Sequence, residues 1–126
     1  MTLRSELARA RGRAYEWTAA FWLILKGYRI LARNYRCPFG ELDLVALTPR
    51  RWAGETELCF IEVRVRKDFE TAAESVHGPK QLRVRRAATA FVTQHRHLAQ
   101  LPRRFDLVAV SASGLLRHIP GGLDTL

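Results

Sequence analysis

The chain has 126 residues, 48% of them hydrophobic, with a formal net charge of +9 and a pI of about 10.7. That is the length of one domain, 1–126, with enough apolar content for a core, which excludes global disorder. The basic excess points to a polyanionic partner, nucleic acid first, and two cysteines with no CxxC pattern and no paired histidine spacing exclude a disulfide framework and a zinc site.

Leu3, Leu7, Ala10, Ala14, Trp17, Phe21 and Ile24 recur at alternating spacings of four and three, which predicts an amphipathic first helix with Gly27 at its stop. Trp17, Phe21 and Trp22 read as core aromatics on that helix, not as a base-stacking platform. The apolar stretch from Trp17 to Leu25 is too short to span a bilayer, and early charges do not suit a signal peptide, so the expected compartment is a reducing cytoplasm. Tyr28 to Asn34 reads as a first strand with Tyr28, Ile30 and Ala32 on one face, and the Pro38 and Gly40 segment, 35–40, reads as a turn. Glu41 to Leu47 and Glu57 to Arg66 read as the next two strands of a meander, separated by a hairpin loop. A polar connection with His77 leads to Pro79, which suits the first turn of a second helix with Val84, Ala87, Ala88, Phe91 and Leu98 as its apolar residues. Phe105 to Val110 and Leu115 to Ile119 complete the order αβββαββ. The intervening helix permits parallel pairing of the third and fourth strands, so the expected fold is α/β, a mixed sheet flanked by helices.

Asp43 and Glu62 carry the chemistry. Each carboxylate is embedded in an apolar strand, where an unpaired charge is costly. Strand alternation puts Leu42, Leu44 and Ala46 on one face and Glu41, Asp43 and Val45 on the other. It puts Glu62, Arg64 and Arg66 opposite Ile61, Val63 and Val65. A meander register exists that places Asp43 and Glu62 on one face. Oxygen ligands of this kind suit a hard cation such as Mg2+ or Mn2+, with the Val63 carbonyl and a substrate phosphate as further donors. The alternative is salt bridging of the two carboxylates to Arg64 or Arg66. Arg33, Arg36, Lys80, Arg83 and Arg86 form the candidate phosphate-contact set, which would position a nucleic acid without reading its sequence. An ordinary solvated face is the alternative for them, and a solvated helix charge is the alternative for Glu16. Glu41 reads as a solvated residue at a strand start, Asp106 as the ion-pair partner of Arg104, and His118 as structural.

Gly40-Glu41-Leu42-Asp43-Leu44-Val45 followed by Phe60-Ile61-Glu62-Val63-Arg64 resembles the D…ExK signature of restriction-endonuclease-like nucleases. More closely, the chain resembles the YraN family of small bacterial proteins. Gly12 with Glu16, Gly27-Tyr28, Arg33-Asn34-Tyr35-Arg36, Pro79-Lys80-Gln81, Arg104-Phe105-Asp106-Leu107-Val108 and His118-Ile119-Pro120 carry the match in order across about residues 12 to 120. It is also similar, more distantly, to archaeal Holliday-junction resolvases, which use a helix glutamate placed like Glu16. The resemblance implies a magnesium-dependent endonuclease-like fold acting on DNA, branched or damaged DNA included, with Asp43 and Glu62 as metal ligands and Glu16 as a further acid. A homodimer is compatible with it, although no residue pattern marks a dimer face. The family lysine falls at Arg64, which cannot give up a proton as lysine can. Arg64 can still hold a phosphate, and Lys80 is the lysine able to approach from another element. Lys67 has the parity of the opposite face. The second reading is a nucleic-acid-binding domain that keeps the fold without turnover.

Overall fold

The computed structural model describes residues 3–49, 55–66, 79–111 and 113–123, with the side chains of residues 4–13 and of Pro79 outside the description. Lys67 and His77 lie outside the described residues. The elements are helix α1 (Leu3–Leu25), strands β1 (Arg29–Cys37), β2 (Gly40–Leu47) and β3 (Leu58–Val65), helix α2 (Pro79–Gln94), a short 3-10 turn (Arg96–Leu98), and strands β4 (Arg103–Val110) and β5 (Leu116–Ile119). They realise the expected order. The five strands lie side by side in chain order. The β3–β4 pair is parallel and the other pairs are antiparallel. α2 lies on the connection between the parallel strands, as such a crossover requires. Among the described residues no helix is long and apolar enough to cross a membrane.

Each sheet face packs against one helix. Leu42, Val45, Phe60, Phe105 and Leu107 meet Val84, Ala87, Ala88 and Phe91 of α2 in one core cluster. Leu44, Ala46, Cys59, Ile61, Val108 and Val110 meet Ala19, Ala20 and Leu23 of α1 in the other. α1 ends as its sequence predicts. Gly27 takes a φ of 96°, Gly27 N–H donates to the Ile24 carbonyl, and Tyr28 N–H donates to the Leu23 carbonyl. This is the paired Schellman arrangement that caps orphan carbonyls.

The buried face of α1 differs from the expected one. Trp17 and Phe21 are 59% and 62% exposed, and Trp22 is 43% exposed. The helix rests on the sheet through Ala19, Ala20 and Leu23 instead. Two adjacent alanines let the helix approach the sheet closely, which leaves the bulkier side chains of the regular stripe on the outside.

Strand parity also departs from simple alternation. A register shift between Ile30 and Ala32 moves Ala32 to the α2 face while Tyr28 and Ile30 stay on the α1 face. In β2, Leu42 and Val45 share the α2 side whereas Leu44 and Ala46 face α1. The alternation therefore breaks at Asp43. Across the ladder, between the pairs Arg33↔Leu44 and Tyr35↔Leu42, stands Asn34, whose φ is 55°. Asparagine tolerates this left-handed conformation better than most side chains. β1 runs on to Cys37, so only Pro38 and Phe39 form the turn to β2.

A second polar constellation fastens the far side of the sheet. Asp106 is fully buried. It accepts hydrogen bonds from Arg104 Nε and a second guanidinium nitrogen, from His118 Nε2 and from Gly121 N–H, each at 2.8 Å. Arg104 also donates to the Tyr28 hydroxyl at 2.7 Å, and Lys26 Nζ lies 2.8 Å from His118 Nδ1. Burial alone would raise the Asp106 pKa, but the His118 and Arg104 hydrogen bonds hold it below the usual carboxylate range. The network joins β4, β5, the turn after β5 and the end of α1. The Arg104–Asp106 ion pair and the structural His118 are thus realised. Replacing Asp106 by Ala strands those donors in the interior. The substitution should cost about 3–5 kcal/mol, read as a lowered urea midpoint, whereas Glu41→Ala, which removes only an exposed pair with Arg36, should leave the midpoint unchanged.

Candidate active site

β2 and β3 pair through Leu44↔Ile61, Val45↔Phe60, Ala46↔Cys59 and Leu47↔Leu58. The ladder stops before Asp43 and Glu62, the next residues of the same register. Beyond Leu44 the strands part, and the Asp43 side chain takes over the bonding. Its Oδ2 accepts the Val63 backbone N–H at 2.8 Å. One sequence device thus serves two ends: a carboxylate satisfies a backbone donor that loses its strand partner, and it is held at the opening.

Three carboxyl groups converge there. Asp43 is the middle one, hydrogen-bonded to Glu16 of α1 on one side and to Glu62 of β3 on the other. Asn34 lies beside Glu16 and favours its ionised form, so the left-handed residue of β1 faces the acid from the first helix. Glu62 is buried, and Arg64 lies 2.8 Å from its Oε1. The salt bridge expected as the alternative is therefore present, but along one strand and not across two, and it coexists with the Asp43 contact. Glu16 Oε2, Arg33 Nη1 and Arg64 Nε are buried without a hydrogen-bond partner, and the Arg33 charge acts on Glu16.

The electrostatics follow from crowding like charges in a sheltered place. Burial, then the Asp43 charge, push Glu62 up to about 8, although Arg64 opposes the shift. Burial and Asp43 likewise raise Glu16 to about 7. Asp43 is raised by burial, against the Val63 N–H and Arg64, which favour its ionised form. Carboxylates held this far from their ordinary range in a cleft make a candidate functional site.

Around the acids runs a cleft of about 890 Å³, lined by Arg36, Glu41, Asp43, Glu62, Arg64, Lys80 and Arg83 among others. Three of the five candidate phosphate contacts, Arg36, Lys80 and Arg83, therefore reach it. The other two do not. Arg33 stacks on Trp17 of α1, with its guanidinium 4.1 Å from the ring centroid. Arg86 lines a separate groove on the outer face of α2. Arg33 nonetheless lies near Glu16, whose ionised form its charge favours. Arg66 turns back to donate to the Val65 carbonyl, and Glu41 pairs with Arg36 at the exposed rim. Sequence reasoning missed Asn34 as a support for Glu16; its signal was an asparagine, tolerant of positive φ, within a strand.

Oxygen donors with raised pKa values and an orphaned Glu16 Oε2 fit a hard cation better than they fit a dry salt bridge. Among the described residues no group of three or more histidine, cysteine, aspartate or glutamate side chains could hold an ion alone. A cation here would rest on the Asp43 and Glu62 pair, with its remaining ligands from water, backbone or substrate, as magnesium commonly has.

The Glu62 shift carries a stability consequence. Its pKa rises on folding from 4.5 to about 8, so below pH 4.5 both folded and unfolded states hold the proton. As pH climbs through that window the unfolded chain ionises first, and stability is lost, on the order of a few kcal/mol. Glu62→Gln removes this loss. The variant should therefore gain thermal stability relative to the wild type between pH 4.5 and 8, with no gain at acid pH, in melts across that range.

Residues 15–110 match the model of a family described as the uncharacterised protein family UPF0102. A UPF0102 protein of Moorella thermoacetica is 51% identical over 104 residues, covering 81% of each chain. One from Rhodopseudomonas palustris strain BisB18 is 42% identical over 113 residues, covering 90% of this chain and 79% of that protein. One from Nitrobacter winogradskyi is 40% identical over 113 residues, covering 90% and 91%. The match spans α1 from Tyr15, the acid cleft and β4, and the chain belongs to the UPF0102, or YraN, family.

Proposed function

We propose that the chain is a metal-dependent endonuclease-like protein acting on DNA phosphodiesters. The observation that carries this reading is the parting of β2 and β3 at Asp43, which sets Asp43 and Glu62 in a cleft whose rim is basic, with Glu16 of α1 beside Asp43. Asp43 and Glu62 would hold magnesium or manganese. When bound, that cation supplies Lewis acidity toward a phosphoryl oxygen and toward water. Arg64 stabilises negative charge at the phosphate, since a guanidinium stays protonated. Glu16, with its pKa near 7, holds or accepts a proton in the range where acid–base groups work at neutral pH. This assigns to a helix glutamate the proton-handling role that Arg64 cannot take. Lys80, Arg83 and Arg36 sit where they would grip the phosphates on either side.

Asp43→Ala and Glu62→Ala should each lower magnesium-dependent cleavage at least about 100-fold, while DNA affinity in a gel-shift assay stays within a few-fold. Glu62 is also engaged by Arg64 at 2.8 Å, and that pairing favours a second reading, a DNA-binding domain without turnover. No cleavage of linear, nicked or four-way DNA by the wild type, with cleavage emerging in Arg64→Lys, would establish the second reading.

A further inference from the structure

The turn between β1 and β2, next to the cleft, carries an exposed aromatic side chain. Phe39 is 57% exposed. A single exposed apolar residue is ordinary, but this one has an unusual mount. It stands in a two-residue turn behind Pro38, whose ring restricts the backbone. The next residue, Gly40, packs against α2 so closely that a Cβ there would lie 3.0 Å from the Arg83 carbonyl oxygen. Gly40 has a φ of 155°, and Cys37 Sγ donates to its carbonyl at 3.4 Å. The aromatic ring is thus displayed from a turn seated on a helix.

The turn also separates two concave surfaces. On one side lies the acid cleft with Arg36, Gly40, Lys80 and Arg83. On the other lies a groove of about 630 Å³, where Phe39 meets Arg85, Arg86, Thr89 and Thr93. Exposed Arg83 and Arg86 flank the turn on the α2 surface. An aromatic platform set between cationic side chains is what binds unpaired nucleobases: the cations follow the backbone and the ring takes a base face. Phe39 precedes Asp43 by four residues of strand, about 13 Å, which places it a few nucleotides from a phosphate at the acids.

We propose that Phe39 stacks on an unpaired base a few nucleotides from the phosphate held at Asp43 and Glu62, giving the chain a preference for DNA with unpaired bases over continuous duplex. This rests on reading the cleft as a phosphodiester site. The preference comes from the price of unstacking, which is least where a base is already unpaired. Continuous duplex offers Phe39 no free ring, so only the phosphate contacts remain there.

The test uses the full chain without magnesium and short duplexes carrying a single-stranded gap, with 2-aminopurine placed at successive positions from the gap edge. The wild type should quench the fluorophore at one or two positions and bind gapped DNA more tightly than continuous duplex. Phe39→Ala should lose the quenching and about tenfold of the gapped-DNA affinity, with duplex affinity unchanged. Phe39→Trp should restore both, a rescue that a merely structural role for the turn would not give. Binding and quenching that persist in Phe39→Ala would overturn this inference and leave the reading of the cleft standing. Absence of DNA binding by the wild type would overturn both.

Discussion

The structure turns on a substitution of partners at one rung of the sheet. At Leu44 and Ile61 the β2–β3 ladder is still formed, and one rung further a side-chain oxygen of Asp43 receives the Val63 N–H. A buried backbone donor must be satisfied by something. Because a carboxylate does it, the strands can diverge without an orphaned N–H. Glu16 enters from the α1 side, and Lys80 and Arg83 flank the cleft from the α2 side. Ala19 and Ala20, which bring α1 down onto the sheet, are part of the same arrangement, since a bulkier contact would lift Glu16 away.

The chain holds two buried acid sites with opposite electrostatics. Asp106 is surrounded by donors and is held ionised. Asp43, Glu62 and Glu16 are surrounded largely by one another, and their pKa values rise. Around Asp106 the donated hydrogen bonds outweigh the cost of burial, whereas at Glu16, Asp43 and Glu62 burial prevails. The first arrangement is complete as it stands and locks the chain together. The second leaves Glu16 Oε2, Arg33 Nη1 and Arg64 Nε without hydrogen-bond partners. In a chain of net charge +9, three clustered acids are more telling than they would be in an acidic protein.

Much of this was legible in the amino-acid order. Turn residues and apolar runs separate the strands, and the helix between the third and fourth strands forecasts their parallel pairing. The Arg104–Asp106 pair followed from strand parity. What alternation could not convey was the set of places where it breaks. The bulge near Leu31 and the left-handed Asn34 redirect side chains by one face, so Arg33 leaves the cleft and Leu42 joins Val45. The regular spacing of Trp17, Phe21 and Ile24 suggested a buried stripe, but helix–sheet packing selected the alanine face. Periodicity identifies that a helix has faces; which face is buried depends on how closely its partner can approach. For Glu16 the residue pattern alone left a solvated charge as the alternative to an acid of the site, because its neighbour Asp43 is distant in sequence.

The central claim is that the parted strands form a cation site on Asp43 and Glu62. Isothermal titration of Mn2+ into the intact chain at pH 8, repeated with Asp43→Asn, tests it most directly. The account predicts one Mn2+ per chain, partial proton release on binding because Glu62, raised to about 8, must give up the proton it still holds, and loss of the site in Asp43→Asn. Absence of Mn2+ binding at millimolar concentration, or binding that is indifferent to Asp43→Asn, would contradict it.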